Sequence, residues 1–318
     1  MIRMKRILLP ILWGFSVCGL AETVALKPES MAYVLQADSL AASREAVVER
    51  LASCGRDVIV LDAAYNTAAK GPWTVEELAK IRQGKAGRRV LAYVSIGEAE
   101  DYRPYWQKNW DADKDGKPDA SAPAFLNTEN PDWKGNYRVR FWQSEWQKIM
   151  LPAVDQVVQQ GFDGIYLDIV DAFEFYEYDA VSKDWQDNRV NSETGRPYRQ
   201  DMIAWVETIA KRARAKNPRF WVIPQNAAAL LQDKKYRQMI SGIGVEDLLV
   251  KGKRLSRETE MRHVIGFLEK LKAEGKPILL IDYPKSDSIH AAAFDQAAKL
   301  GFSLLLTDRE LTTLGESR

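Results

Sequence analysis

Eight short apolar runs recur along this chain, each followed by a longer stretch of mixed polarity. In order they are MAYVLQ (31–36), DVIVLD (57–62), RVLAYVSI (89–96), FDGIYLDIV (162–170), FWVIPQN (220–226), GIGVED (242–247), PILLIDY (277–283) and FSLLLTD (302–308). They are rich in Val, Ile, Leu and Tyr, too short for buried helices, and nearly continuous in their apolar character. Parallel strands covered on both faces read this way. Helix signals fill the intervals. Thr74 with Glu77 and Ser144 with Gln147 have capping-box spacing, and Asp201 is placed to cap the stretch running to Lys216. Gly161, Gly275 and Gly301 follow helical stretches, where a left-handed residue commonly ends a helix. Eight strands alternating with helices over roughly 250 residues predict an α/β chain folded as a single (β/α)8 TIM barrel. An open doubly wound sheet is the rival, but no glycine-rich phosphate loop follows the first strand.

The amino terminus reads differently from the rest. Arg3, Lys5 and Arg6 precede an apolar run from Ile7 to Leu20, and Gly19, Leu20 and Ala21 offer the small residues a signal peptidase needs. The run is short for a membrane span. The expectation is a secretory signal over residues 1–21, cut after Ala21, leaving a barrel domain over 22–318 in a secreted or periplasmic protein. A retained anchor is the rival, and a lipoprotein attached through Cys18 a weaker one, because Val17 before that cysteine is bulky. Loss of three cations leaves 42 basic against 44 acidic side chains, a net of −2. That balance argues against a nucleic-acid partner. Cys54 would then be the sole cysteine, so no intramolecular disulfide can form and stability rests on the core.

Two connections are long, residues 97–143 after the third strand and 171–200 after the fourth. In a barrel such loops gather at the C-terminal face, where active sites lie. Both are aromatic-rich, with Tyr102, Tyr105, Trp106, Trp110, Trp133, Tyr137 and Trp142 in the first and Phe173, Phe175, Tyr176, Tyr178 and Trp185 in the second. Rings of this kind either pack the loops or present a flat face to a sugar. Acids cluster at the same rim: Asp62, Glu98, Glu100, Asp168, Asp171, Glu246, Asp247, Asp282 and Asp308 all fall at strand ends. A single such aspartate is commonly a turn former or helix cap. A whole ring is costly without partners. The chain has two histidines, His263 and His290, both in predicted helices away from the rim. A Ser-His-Asp triad and a histidine-ligated zinc site are therefore disfavoured. No HExxH, GxSxG or GxxxxGK[ST] motif occurs. Glycosidic cleavage needs only carboxylates, one as acid and one as nucleophile or base. A magnesium-dependent barrel is the competing use of such acids, but it wants a lysine or histidine base, and the fifth strand here ends in Gln225-Asn226.

LAYVSIGEAEDYRPYW, GNYRVRFW, GFDGIYLDIVDAFEFY, IPQNAA, GVEDLL and LLIDYP, taken in order through most of the chain, resemble glycoside hydrolase family 114. The family comprises endo-α-1,4-polygalactosaminidases and many uncharacterised bacterial and archaeal relatives. The resemblance implies a barrel hydrolase of an amino-sugar polymer needing no cofactor. It places the catalytic acids at the ends of the fourth and sixth strands, here Asp168 in YLDIVD and Glu246 in GVED. Analogy with retaining barrels makes Asp168 the nucleophile and Glu246 the general acid/base, with carboxyls in the closely spaced class. Deacetylated galactosaminan is polycationic, and an acidic rim would attract it. Asp62, Glu98, Asp171 and Asp282 are then expected to hold ammonium or hydroxyl groups, with Tyr93, Tyr166, Asn226 and Tyr283 as neutral hydrogen-bonders. Tyr166 sits mid-strand, where simple packing is a strong alternative. Asp163 precedes its strand and belongs to the structural end of the barrel. Two other readings stay open: the same chemistry on another sugar polymer, and a barrel that binds polysaccharide without cutting it.

Asp111-x-Asp113-x-Asp115-Gly116, with Asp119 beyond, matches the first half of a calcium loop. Ala122 occupies the position of the closing glutamate, for which Glu129 could substitute. The alternatives are a structural Ca2+ that braces the loop and a solvated acidic turn.

Overall fold

The structure is a computed structural model that describes residues 27–65 and 71–318; the expected signal segment, with its cleavage point and Cys18, lies outside the described residues. The apolar runs form eight barrel strands: β1 (Met31–Val34), β2 (Val58–Asp62), β3 (Arg89–Ser95), β4 (Gly164–Asp168), β5 (Trp221–Pro224), β6 (Ile243–Glu246), β7 (Ile278–Asp282) and β8 (Ser303–Leu306). Around them lie α1 (Arg44–Ser53), α2 (Val75–Gln83), α3 (Ser144–Gln160), α4 (Tyr198–Lys216), α5 (Lys234–Met239), α6 (Glu258–Ala273) and α7 (His290–Leu300). Strands β1 to β5 pair in parallel in chain order, as do β6 to β8. A parallel bridge between Gln225 and Gly244 carries the sheet from β5 to β6. The fold is a (β/α)8 barrel.

The seam between β8 and β1 is closed unusually. Among the described residues no helix follows β8; instead the tail strand Glu316–Ser317 pairs antiparallel with Leu306 and Leu305. Ser317 Oγ accepts the Met31 amide at 2.9 Å, and Arg56 donates to the Ser317 and Gly315 carbonyls at 2.7 and 2.8 Å. The Leu311 carbonyl accepts the amides of Leu35 and Gln36 just beyond β1. These bonds give the edges of β1 and β8 the partners that an exposed strand edge lacks.

Period-two alternation sorts the strand residues into two cores. Met31, Tyr33, Val58, Val60, Leu91, Tyr93, Tyr166, Ile223, Leu279 and Ile281 fill the lumen. Their neighbours Val34, Ile59, Leu61, Val90, Ile165, Leu167, Val222, Ile243 and Leu280 face the helices. Thr74 and Glu77 do form a capping box on α2. The other two expected caps are corrected: Ser144 is the first residue of α3 rather than its cap, and Asp201 lies inside the first turn of α4. There Asp201 is buried and accepts bonds from Asn191 and Thr194, with Arg196 at 2.7 Å, so it tightens the preceding loop instead. Gly161 and Gly301 end α3 and α7 in the left-handed conformation. Asp163 holds Arg82 and the Val90 amide at the end of the barrel opposite the rim.

Tyr166 is fully buried in the lumen, its ring 5.1 Å from that of Tyr33. Its hydroxyl reaches over Gly244 on β6, where a Cβ would overlap it. Gly244→Ala is therefore expected to destabilise the barrel by about 1–3 kcal/mol through overpacking. The same change in a Tyr166→Phe background should cost less, because the first clashing atom is gone. Urea unfolding of the two single variants and the double checks this, and additive losses would count against it.

Candidate active site

Asp168 ends β4 and Glu246 ends β6. Alternation aims both inward, in phase with Tyr166 and Gly244 respectively. Tyr93 donates its hydroxyl to Asp168 Oδ2 at 2.7 Å, and the Ile169 amide donates to Oδ1 at 2.8 Å. Glu246 accepts Gln225 Nε2 on Oε2 at 2.5 Å and the Tyr283 hydroxyl on Oε1. Gln225 is itself oriented by Tyr33, whose hydroxyl donates to its Oε1 at 3.2 Å. Burial pushes Asp168 up to about 7, against the opposing Tyr93 hydrogen bond and with the charge of Asp171 adding to the rise. Burial also pushes Glu246 up to about 7, reinforced by the charge of Asp168 and opposed by the Tyr283 bond. Two like charges in one desolvated lumen resist simultaneous ionisation, so near neutrality the pair retains a proton. A protonated acid beside an ionised carboxylate is the state that acid-assisted nucleophilic chemistry requires.

Asp171 follows at the start of the helix Ala172–Glu177. Burial, then the neighbouring Glu174 charge, raises it to about 7, while a bond from Asn226 opposes the rise. The Asn226 side chain accepts the Glu246 amide on Oδ1 at 3.0 Å, so one amide group ties Asp171 to Glu246. Glu98, on a short strand of the first long loop, is buried and takes Asn130 on Oε1 at 2.8 Å. Its Oε2 has no hydrogen-bond partner among the described residues, and burial raises the carboxyl to about 7.

Two expected sugar contacts are corrected. Asp62 faces the lumen, but Arg103 occupies both its oxygens, at 2.9 and 2.7 Å, and the Ala64 amide donates a further bond to it. Arg103 also reaches Glu100 at 2.5 Å, and Tyr102 donates to Glu100 at 2.6 Å. The result is a neutralised wall rather than an open carboxylate. Asp282 lies one residue out of phase with Ile281 and Tyr283. It is 0% exposed and accepts the backbone amides of Leu249 and Val250, so it anchors the loop after β6 and cannot meet a sugar. Tyr166 packs, as described above.

A cavity of about 310 Å³ opens beside Glu246, bounded by Asp171, Glu174, Asn226, Asp247 and His263. His263 was expected away from the rim. It lies on the first turns of α6, which start at the rim, and its ring packs on Phe267 at 4.7 Å. His290 stays remote, beside Asp287 and Glu316. Gln225, Arg103 and Arg309 are site neighbours that the acid pattern did not reveal. The loop aromatics divide: Trp106, Trp110, Phe125 and Tyr137 pack together, whereas Tyr102, Trp133, Phe175, Tyr178 and Trp185 remain exposed.

Backbone strain concentrates at the same strand ends. Ile169, Asn226, Ala227 and Asp247 follow Asp168, Gln225 and Glu246 with φ of +55°, +57°, +52° and +54°. Such conformations cost on the order of 1–3 kcal/mol each for residues with a Cβ. Gly97 supports one of them, since a side chain there would overlap the Ile169 carbonyl.

In the acidic loop, Asp111, Asp113 and Asp115 each bring one carboxylate oxygen within 4.8 Å of the others. Asp111 accepts the Tyr137 hydroxyl at 2.5 Å and the Gly116 amide at 3.0 Å, and Asp115 pairs with Lys117 at 3.0 Å. Asp119 stands apart, accepting the Ala112 amide at 2.8 Å, and Glu129 lies against Gly116 while accepting the Gly135 amide. Protein donors thus satisfy much of the cluster.

The sequence pattern of glycoside-hydrolase family GH114 matches residues 22–318. Uncharacterised proteins of Deinococcus radiodurans and Methanocaldococcus jannaschii are 36% and 35% identical over 76% of this chain, which spans 70% and 64% of their lengths. The glycoside hydrolase domain of PelA from Pseudomonas aeruginosa superposes with a TM-score of 0.61 at 19% identity, over 91% of this chain and 98% of that one. Aspergillus fumigatus Ega3, solved in complex with galactosamine, gives 0.61 at 19% over 93% and 98%. At such identities the structural likeness speaks for the fold.

Glu98, Asp168, Asp171, Glu246 and Asp282 are all raised to about 7. Unfolded carboxyls titrate near ~4. Between those values these five groups bind more protons in the folded chain than in the unfolded one, so their contribution to stability is fully present below about pH 4 and is lost as pH rises towards 7. The urea midpoint should drop across that window. Asp282→Asn keeps an acceptor for Leu249 and Val250 but has no proton to lose, so it should flatten the slope. A wild-type midpoint that climbs from about pH 5 to 7 would contradict these shifts.

Proposed function

This chain belongs to glycoside-hydrolase family GH114, and from that premise we propose that it cuts α-1,4-linked galactosamine polymers internally, through Asp168 and Glu246. The observation that carries the reading is the buried carboxyl pair at the ends of β4 and β6, held by Tyr93, Gln225 and Tyr283, with burial raising both carboxyls to about 7. In the first step Asp168 attacks the anomeric carbon while Glu246 gives its proton to the departing glycosidic oxygen. In the second, Glu246 takes a proton from water, whose oxygen displaces Asp168 from the sugar. The enzyme ends in its starting protonation state with one water consumed.

The substrate assignment rests on charge and shape. Asp171, Glu174 and Asp247 border the cavity beside Glu246, an acidic setting suited to a sugar with a free amine. Galactosamine in the Ega3 complex supports the same class. Exposed Trp133, Phe175, Tyr178 and Trp185 in the rim loops suit an extended chain over a short one. Export through the segment 1–21 would bring the enzyme to such a polymer in a surface matrix or biofilm. No helix of the described residues is long and apolar enough to cross a membrane.

The test is reducing-end release from deacetylated galactosaminan, alongside other amino-sugar polymers. Asp168→Asn and Glu246→Gln are each expected to lower the rate by roughly 10²–10⁴-fold while the fold persists. Proton NMR of the first product should show the α anomer, as retention requires. Wild-type rates in either variant would remove the assignment. Binding of the polymer without cleavage by wild type would favour a non-catalytic barrel.

A further inference from the structure

Arg309 leaves the chain just after β8, from a turn fixed at several points. Asp308 accepts the Thr312 amide at 3.0 Å, the Thr312 hydroxyl at 3.1 Å and the Thr313 hydroxyl at 2.9 Å. Leu311, at φ +54°, presents its carbonyl to Leu35 and Gln36 past β1. The turn is thereby tied to itself and to the opposite side of the seam. From it the Arg309 guanidinium lies 4.1 Å above the centre of the Tyr283 ring and donates to Asp247 Oδ1 at 2.6 Å.

Tyr283 and Asp247 flank Glu246. Tyr283 supplies the hydroxyl on Glu246 Oε1, and Asp247 is the next residue along the chain, held at φ +54°. The Arg309–Asp247 pair is about half exposed, at 49% and 47%, and pairs of that kind contribute only ~0–1 kcal/mol to folding. The value of the contact is therefore geometric. A planar guanidinium can lie flat on a ring while its N–H edge bonds a carboxylate in a fixed direction, whereas an ammonium is a point charge with no plane to stack.

We propose that Arg309 is a positioning residue for Glu246, clamping Tyr283 and Asp247 on either side of it so that its carboxyl keeps one orientation and yields its proton readily. The proposal rests on Glu246 being the proton donor, as set out above. Among the described residues the groups around Glu246 are Tyr33 from β1, Tyr166 and Asp168 from β4, Asp171 beyond it, Gln225 after β5, Asp247 after β6 and Tyr283 after β7, while Asp282, turned away from the lumen, acts on it only through its charge. Each is acidic or neutral. Arg309 brings the opposing positive charge, which lowers the proton affinity of Glu246 while burial and Asp168 raise it. Lys251 and His263 line the cavity that opens beside it.

The test follows the Glu246 carboxyl directly, by carbon-13 NMR titration of glutamate-labelled protein, the resonance being assigned by its loss in Glu246→Gln. In Arg309→Ala the midpoint should move upward; in Arg309→Lys, which keeps the charge, it should return towards wild type. On a polymer that wild type cleaves, Arg309→Ala should lower kcat about tenfold with KM little changed, and shift the alkaline limb of the pH profile upward with the NMR midpoint. Arg309→Lys should restore that limb but only part of kcat, because the stack is lost. A Glu246 midpoint equal to wild type in Arg309→Ala overturns the proposal, as does lowered activity with an unshifted limb. Because the titration needs no substrate, a failure of the polymer assays would count against the proposed function and leave this test standing.

Discussion

The lumen of the barrel is a poor solvent for charge, and the site is organised around that fact. Asp168 and Glu246 enter it from strands two apart, and burial raises both towards neutrality. Among the described residues neither carboxylate meets a cation directly. Each instead meets neutral donors: Tyr93 and the Ile169 amide for one, Gln225 and Tyr283 for the other. Neutral donors orient a carboxylate without locking it into the ionised state, whereas a bidentate arginine would hold it there. Asp62 shows the contrast within the same rim. Arg103 grips both its oxygens, and that carboxylate is committed to an ion pair.

The supporting frame follows from keeping those two groups in place. Gln225 can reach Glu246 because Tyr33, from β1, holds its other end across the lumen. The left-handed residues after Asp168, Gln225 and Glu246 turn the chain sharply away once each functional side chain has been delivered. Such strain persists only where surrounding contacts over-determine the backbone. Here they are the Gly97 segment under Ile169, the Asn226 amide on Glu246, and Asp282 beneath the loop after β6. Even the seam contributes. The turn that joins β8 to β1 in place of an eighth helix is the one that aims Arg309 at Tyr283.

Much of this was legible from residues alone. Continuous apolar runs located all eight strands, because a strand covered on both faces has no polar side to display. The capping box at Thr74 and the helix ends at Gly161 and Gly301 were local signals and read correctly. The ring of acids pointed to the rim bearing Asp168, Asp171 and Glu246. Asp282 differs from the expectation because every residue of ILLID is buried and only the faces alternate: Leu279, Ile281 and Tyr283 face the lumen, which turns Asp282 outward. Proximity to a strand end does not fix the phase, and a one-residue step reverses the face.

Other features had no cue in the sequence. Arg103 lies 41 residues from Asp62, and Arg309 lies 62 from Asp247, so nothing in their local patterns marks them as partners. His263 reads as an ordinary helical residue until the start of α6 is set against the cavity beside Glu246. The sequence by itself determined the barrel, its order and the rim where acids gather, since these depend on hydrophobic period and chain order. The tertiary structure decided which acids stay free, which are neutralised by a distant arginine and which are spent on backbone amides. That division depends on distances across the lumen, and a closed barrel sets them only when all eight strands are in place.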